Sequence, residues 1–237
     1  YPADFSADGA KLLLQRYISV AESHLYVLDV ATNAITRITP DIRVSYSGGE
    51  FTPDGRSIIT LSDENAQFQR LIRVDLATGA RSVLTPDLAW SVESFDLSPD
   101  GRTIAYVVNE AGRSALRLMD ARSLRALPAP DLPAGIVSGV SFDDQSRRIG
   151  FTLNSSTAPG DVYSWDVRAR TLTRWTQSET GGIPASTFVE PELITWRSFD
   201  GREISGFLYR PRTQGPHPVV INIHGGPESQ FRPGFSS

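Results

Sequence analysis

Short apolar runs separated by polar turns recur along the first three quarters of the chain. The clearest instance is Leu97-Ser98-Pro99-Asp100-Gly101-Arg102-Thr103-Ile104-Ala105-Tyr106. Related stretches are Phe5-Ser6-Ala7-Asp8-Gly9 before Leu12-Leu13-Leu14, and Phe51-Thr52-Pro53-Asp54-Gly55 before Ile58-Ile59. A degenerate copy, Phe142-Asp143-Asp144-Gln145-Ser146, precedes Ile149-Gly150-Phe151. The leading residues are spaced by 46, 46 and 45 positions. A second landmark keeps the same register: apolar runs ending at Asp29, Asp75, Asp120 and Asp166, spaced by 46, 45 and 46. Two landmarks in phase define a repeat whose units bury their faces on one another.

The third copy shows the predicted elements. Residues 91–98 form a strand, and Pro-Asp-Gly turns it, because proline presets φ and glycine accepts positive φ. Residues 102–108 return as a strand that is apolar on both faces at Ile104-Ala105-Tyr106-Val107-Val108. A loop is expected over 109–113, a third strand over 115–120 and a short outer strand over 124–127. Four strands in about 45 residues match one blade of a β-propeller. The expected fold is therefore mainly β: an arc of about four four-stranded blades over residues 1–184. The chain is expected to start mid-blade, one strand late, with blade boundaries falling inside the copies and earlier blades upstream of Tyr1.

The repeat then stops. Glu179-Thr180-Gly181-Gly182-Ile183-Pro184 has linker composition. Residues 192–199 alternate as a strand, Asp200-Gly201 makes a hairpin turn, and residues 204–209 return. Pro218-Val219-Val220-Ile221-Asn222-Ile223 is a continuous apolar run, the pattern of a strand buried on both faces. Residues 185–237 are thus expected to form the incomplete start of an α/β-hydrolase domain.

Composition narrows the function. The 237 residues are 40% hydrophobic and 21% charged with a net charge of −4 and no block of like charge, which gives no sign of nucleic acid or an anionic membrane as partner. No apolar run approaches the ~18 residues needed to cross a bilayer. With no cysteine, disulfides and thiolate chemistry are excluded, while cytoplasm and periplasm both stay open, cytoplasm being the default. No cofactor is indicated, and the three histidines lack metal-ligand spacing.

The sharpest chemical feature is the junction of the apolar run with His224-Gly225-Gly226-Pro227. A buried strand ending in His-Gly-Gly places an oxyanion-hole N–H in α/β-hydrolases; glycine is needed because a side chain would block the approach to the oxyanion. The same pair also suits a simple tight turn. No Gly-x-Ser-x-Gly occurs, Gly139-Val140-Ser141-Phe142 failing at the second glycine.

With these residues in hand, the chain resembles the prolyl oligopeptidase family of serine peptidases, in particular its dipeptidyl-peptidase and acylaminoacyl-peptidase branches. The resemblance rests on the Ser-Pro-Asp-Gly repeats, the hairpin Ile194 to Ile204, Leu208-Tyr209-Arg210-Pro211, and Pro218 to Pro227. It implies an N-terminal propeller joined to a C-terminal hydrolase domain, with a peptide as substrate and the remainder of the hydrolase domain as partner. It also implies that the Gly226 N–H is an oxyanion-hole donor, that Gly225 permits close approach, and that His224 and Pro227 shape the loop. The serine, acid and base of the triad are absent, so the chain alone is expected to be inactive and to be part of a longer protein.

Other residues carry less. His24 is expected to be a partly exposed blade residue and His217 a loop residue. The recurrent Asp29, Asp75, Asp120 and Asp166 suit turn amides better than catalysis. The four tryptophans suit packing, Asn154-Ser155-Ser156 is formally a glycosylation acceptor, and Glu190 and Glu192 match no substrate-binding motif. Self-association is neither indicated nor excluded. The competing reading is a non-catalytic, TolB-like propeller serving as a docking platform.

Overall fold

A computed structural model describes residues 1–226 and 229–235. Four antiparallel sheets follow one another, each built from four consecutive strands. The first blade is β1 (Pro2–Phe5), β2 (Lys11–Ser19), β3 (Glu22–Asp29) and β4 (Ile35–Arg37). The second is β5 (Tyr46–Phe51), β6 (Ser57–Ser62), β7 (Arg70–Asp75) and β8 (Arg81–Val83). The third is β9 (Val92–Leu97), β10 (Thr103–Glu110), β11 (Arg113–Asp120) and β12 (Ala126–Leu127). The fourth is β13 (Gly135–Phe142), β14 (Arg148–Ser155), β15 (Ala158–Asp166) and β16 (Thr171–Arg174). The expected propeller arc is therefore present, with one correction. Copies and blades coincide, so the first sheet already holds four strands, the innermost being β1; the chain does not open one strand late.

Period-two alternation explains why β6 and β10, the second strands of blades two and three, are apolar on both faces. Ile58 packs toward the first blade with Leu13 and Leu25, while its neighbour Ile59 packs toward the third with Ile104 and Tyr106. In β10, Ala105 and Val107 turn the other way, against Ile149, Phe151 and Trp165 of the fourth blade. β6 and β10 thus each serve two interfaces, and three apolar clusters join four blades.

The turns follow the same repeat. Ser6, Thr52 and Ser98 hydroxyls donate to Asp8, Asp54 and Asp100 at 2.6–2.7 Å, while Gly9, Gly55 and Gly101 take φ of 65–68°. Ser146 holds the same conformation at φ 56° without being glycine, and its hydroxyl accepts from the Asp100 amide of the preceding blade at 3.0 Å. The recurrent aspartates cap the other turn, as expected: Asp29, Asp75 and Asp120 each accept from the amide and hydroxyl of the residue three positions on. Asp166 accepts from the Ala169 amide and from Arg147 Nε. These bonds hold all four carboxyls below the usual range, chiefly through the Thr32 and Thr78 hydroxyls and the Ser123 and Ala169 amides.

Four positions after each of these aspartates the backbone is left-handed, at Asn33, Gly79, Leu124 and Arg170. Leu124, 40% exposed at φ 58°, is a poorly suited occupant, as is Arg170, because Cβ crowds the carbonyl there. Leu124→Gly is expected to raise stability by about 0.5–1 kcal/mol despite the added freedom of the unfolded chain. Urea unfolding would check it, with Gly79→Leu expected to move the midpoint the other way.

Two local expectations change. The loop expected over 109–113 is a tight turn, with Ala111 and Gly112 at φ 52° and 90°, and β10 and β11 pair up to Glu110↔Arg113. His24 is 3% exposed rather than partly exposed, since Arg37 Nη2 donates to its Nδ1 at 2.8 Å and covers it.

Beyond the blades, residues 179–184 form no strand, and a single 3-10 turn covers Ala185–Thr187. The expected hairpin follows as β17 (Glu192–Arg197) and β18 (Glu203–Leu208), turning at Asp200-Gly201. The buried strand expected at Val219–Ile223 is not formed. Those residues lie outside any strand, with Val219, Val220, Ile221 and Ile223 79–90% exposed. A central parallel strand needs neighbours on both edges and helices on both faces, and among the described residues none pair with or cover this run.

Candidate functional site

The innermost strands gather three carboxylates. Asp4, Glu50 and Asp96 stand one residue before the leading residue of their copies, at a 46-residue spacing. Each bonds across to the next blade: Asp4 accepts from the Phe51 amide at 2.8 Å, Glu50 from Leu97 at 2.8 Å, and Asp96 from Phe142 at 2.7 Å. The fourth blade has Ser141 at this position. The three acids line a cavity of about 490 Å³ at the end of the inner strands where the Ser-Pro-Asp-Gly turns lie. Burial pushes the Glu50 carboxyl up to about 8, the Leu97 N–H opposing and the charges of Asp96 and Asp4 adding to the rise. Burial also raises Asp96, against the Phe142 N–H and with Asp4 adding. The composition-level reading missed this ring; its signal was an acid at a fixed offset from each Asp-Gly turn. Among the described residues no group of three or more histidines, cysteines or acids is arranged to hold a metal ion.

The opposite end of the blades carries the β2–β3, β6–β7, β10–β11 and β14–β15 connections, since antiparallel neighbours turn at alternate ends. Here the chain beyond the linker folds back. Phe207 of β18 lies against Gly112 and against Phe231, ring centroids 6.3 Å apart. Phe188 meets Phe235 edge-on at 5.2 Å. The Phe235 amide donates to Asn154 Oδ1 at 2.6 Å, which engages the amide of the formal glycosylation acceptor.

Of the sequence-derived site residues, His224, Gly225 and Gly226 are exposed and outside regular structure. Gly226 has φ 73°, and a Cβ on either glycine would meet open space. Among the described residues His224 Nδ1 approaches only the Gly225 carbonyl, at 3.5 Å. Pro227 lies outside the described residues. Among the described residues no oxyanion hole is assembled. His217 sits in a loop against the Thr213 carbonyl, as expected. Among the tryptophans, Trp165 is core at 7% exposure, whereas Trp90, Trp175 and Trp196 are 40–62% exposed and so are not mainly packing residues. Glu192 makes only an exposed pair with Arg210.

Fold and repeat define the class first: a β-propeller, here of four consecutive blades. Its sequence profile settles the family. Residues 1–178 match the domain described as prolyl oligopeptidase, N-terminal beta-propeller domain, and the chain belongs to that family. No curated protein sequence matches the chain. Among solved structures, a puromycin hydrolase superposes with a TM-score of 0.77 at 21% identity, covering 99% of this chain and 38% of its own. Prolyl oligopeptidase B from Galerina marginata superposes at 0.71 and 17% identity, covering 90% of this chain and 31% of its own. TolB from Acinetobacter baumannii gives 0.59 at 18% identity, covering 87% and 48%. At these identities the likenesses speak for the fold. The chain spans about a third of the length of the peptidase structures it resembles.

Proposed function

We propose that this chain is the propeller side of a serine peptidase that cleaves short peptides near their N-termini by acyl transfer. The observation that carries the reading is one of order: a family propeller over residues 1–178, then the β17–β18 hairpin, then an apolar run meeting His224-Gly225-Gly226. The blades act as a rigid screen that admits peptides and rejects folded proteins. In the assembled hydrolase sheet the run 219–223 gains its neighbours. There the Gly226 N–H stabilises the oxyanion, Gly225 allows the approach, and His224 and Pro227 shape the loop. A preorganised donor of this kind is worth ~10²–10³ in turnover.

A fluorophosphonate probe tests the reading on the natural protein that contains this chain. Covalent capture at one serine within a Gly-x-Ser-x-Gly supports it; a natural protein that captures no probe overturns it and favours the scaffold reading. The 237-residue chain itself, having no such motif, is expected to stay unlabelled.

A further inference from the structure

Among the described residues beyond the hairpin, Arg232 makes the most side-chain hydrogen bonds. Its Nη1 donates to both oxygens of Glu93 in β9, at 2.8 and 3.0 Å. Its Nε donates to the Gly112 carbonyl at 3.1 Å and its Nη2 to Ser114 Oγ at 2.9 Å. Asn109 Nδ2 donates both to Glu93 Oε1 and to Gln230 Oε1 at 2.9 Å, and Asn109 Oδ1 accepts from the Gly112 amide. The ion pair is only 20% and 30% exposed on its two sides. A guanidinium that satisfies a carboxylate, a carbonyl and a hydroxyl together is geometrically specific, unlike an ordinary surface pair. With Phe231 on Phe207 and Phe235 on Phe188, residues 229–235 form a strap fastened across the third and fourth blades. The strap begins three residues after Gly226.

We propose that Arg232 is a positioning residue: clamped by Glu93 and the Asn109–Ser114 turn, it fixes the loop His224–Gly226 relative to the propeller. This rests on the peptidase reading given above. Blade three thereby sets where the oxyanion donor stands, and an error of about 1 Å at such a donor costs on the order of 10²-fold in rate. The clamp joins blade to strap and touches no reacting atom; because an oxyanion donor acts on charge that develops only in the transition state, displacing it lowers turnover more than substrate affinity.

The test has two arms. Hydrogen exchange of the 237-residue chain reads the strap directly: Glu93→Ala and Arg232→Ala should each speed exchange of residues 229–235 and 109–114 while the core of blades one and two stays protected. In the natural protein containing the chain, both variants should lower kcat about tenfold with KM within twofold. The exchanged pair Glu93→Arg with Arg232→Glu should recover part of that loss, and Arg232→Lys, which keeps the charge but not the three-way bonding, should fall between. Unchanged exchange in both alanine variants overturns the clamp. Faster exchange with unchanged kcat overturns the positioning role. A natural protein that captures no fluorophosphonate overturns the peptidase reading and the positioning role together, while the exchange arm still reports whether the strap is clamped.

Discussion

Phe151→Ala should lower the unfolding free energy by ~3–5 kcal/mol, the range for truncating a fully buried aromatic. Phe151 is 2% exposed and stacks on Tyr163 with ring centroids 5.8 Å apart. It fills the cluster where β10 and β11 of the third blade meet the fourth. Each blade is held mainly by its neighbours, so a cavity here weakens a seam between repeats and not one sheet alone. Urea unfolding followed by circular dichroism would measure it. Phe199→Ala is the matched control: Phe199 at the hairpin tip is fully exposed in this chain, and the midpoint should move by no more than about 0.5 kcal/mol equivalent. Equal effects from the two substitutions would contradict the interblade core.

The chain should also lose stability as pH rises from about 5 to 9, with Glu50 the main cause and Asp96, likewise raised by burial, adding to it. The Glu50 carboxyl ordinarily titrates at 4.5, and burial raises it to about 8 in the folded chain. A group raised on folding contributes its full stabilisation below its unfolded value and loses it as pH climbs through the folded one. At about 1.4 kcal/mol per tenfold change in proton affinity, the loss amounts to a few kcal/mol at most. The groups facing Glu50 are Asp96, Asp4 and the Leu97 amide, so no cation offsets the charge. Glu50→Gln keeps an acceptor for the Leu97 amide and removes the charge; it should flatten the decline between pH 5 and 9 and match the wild type near pH 5. The turn aspartates act at the other limit. Held below their ordinary range, they withdraw their contribution only as pH falls through the acid range. A thermal-melt series across pH in wild type and Glu50→Gln decides the matter, and an undiminished alkaline decline in the variant would rule Glu50 out as its main source.

The blades were legible because two signals repeat in register. Asp-Gly turns require positive φ and a capping side chain, and both requirements are written in residue types at Ser98-Pro99-Asp100-Gly101. The strands flanking each turn then follow, whereas only the stacked blades put Ile58 and Ile59 against different neighbours. The hairpin at residues 192–208 was equally plain, since local turn chemistry sets its register. Less legible was His24, whose burial comes from Arg37 thirteen residues away. The acidic ring was written at a fixed offset, yet only the stacking of blades turned Asp4, Glu50 and Asp96 toward one cavity. Val219–Ile223 read as a buried strand from composition, but burial is a property of what surrounds a segment. The described residues supply neither neighbouring strands nor covering helices.

The amino-acid order by itself determined the repeat, the turn positions, the strands flanking each turn and the membership of a family. These depend on interactions spanning a few residues and on a period that needs no coordinates to count. Tertiary structure alone decided that copies and blades coincide, that three carboxylates share one cavity with Glu50 raised by burial, and that Arg232 reaches back 139 residues to Glu93. Such features rest on desolvation and on contacts between distant segments, and neither has a signature in local sequence.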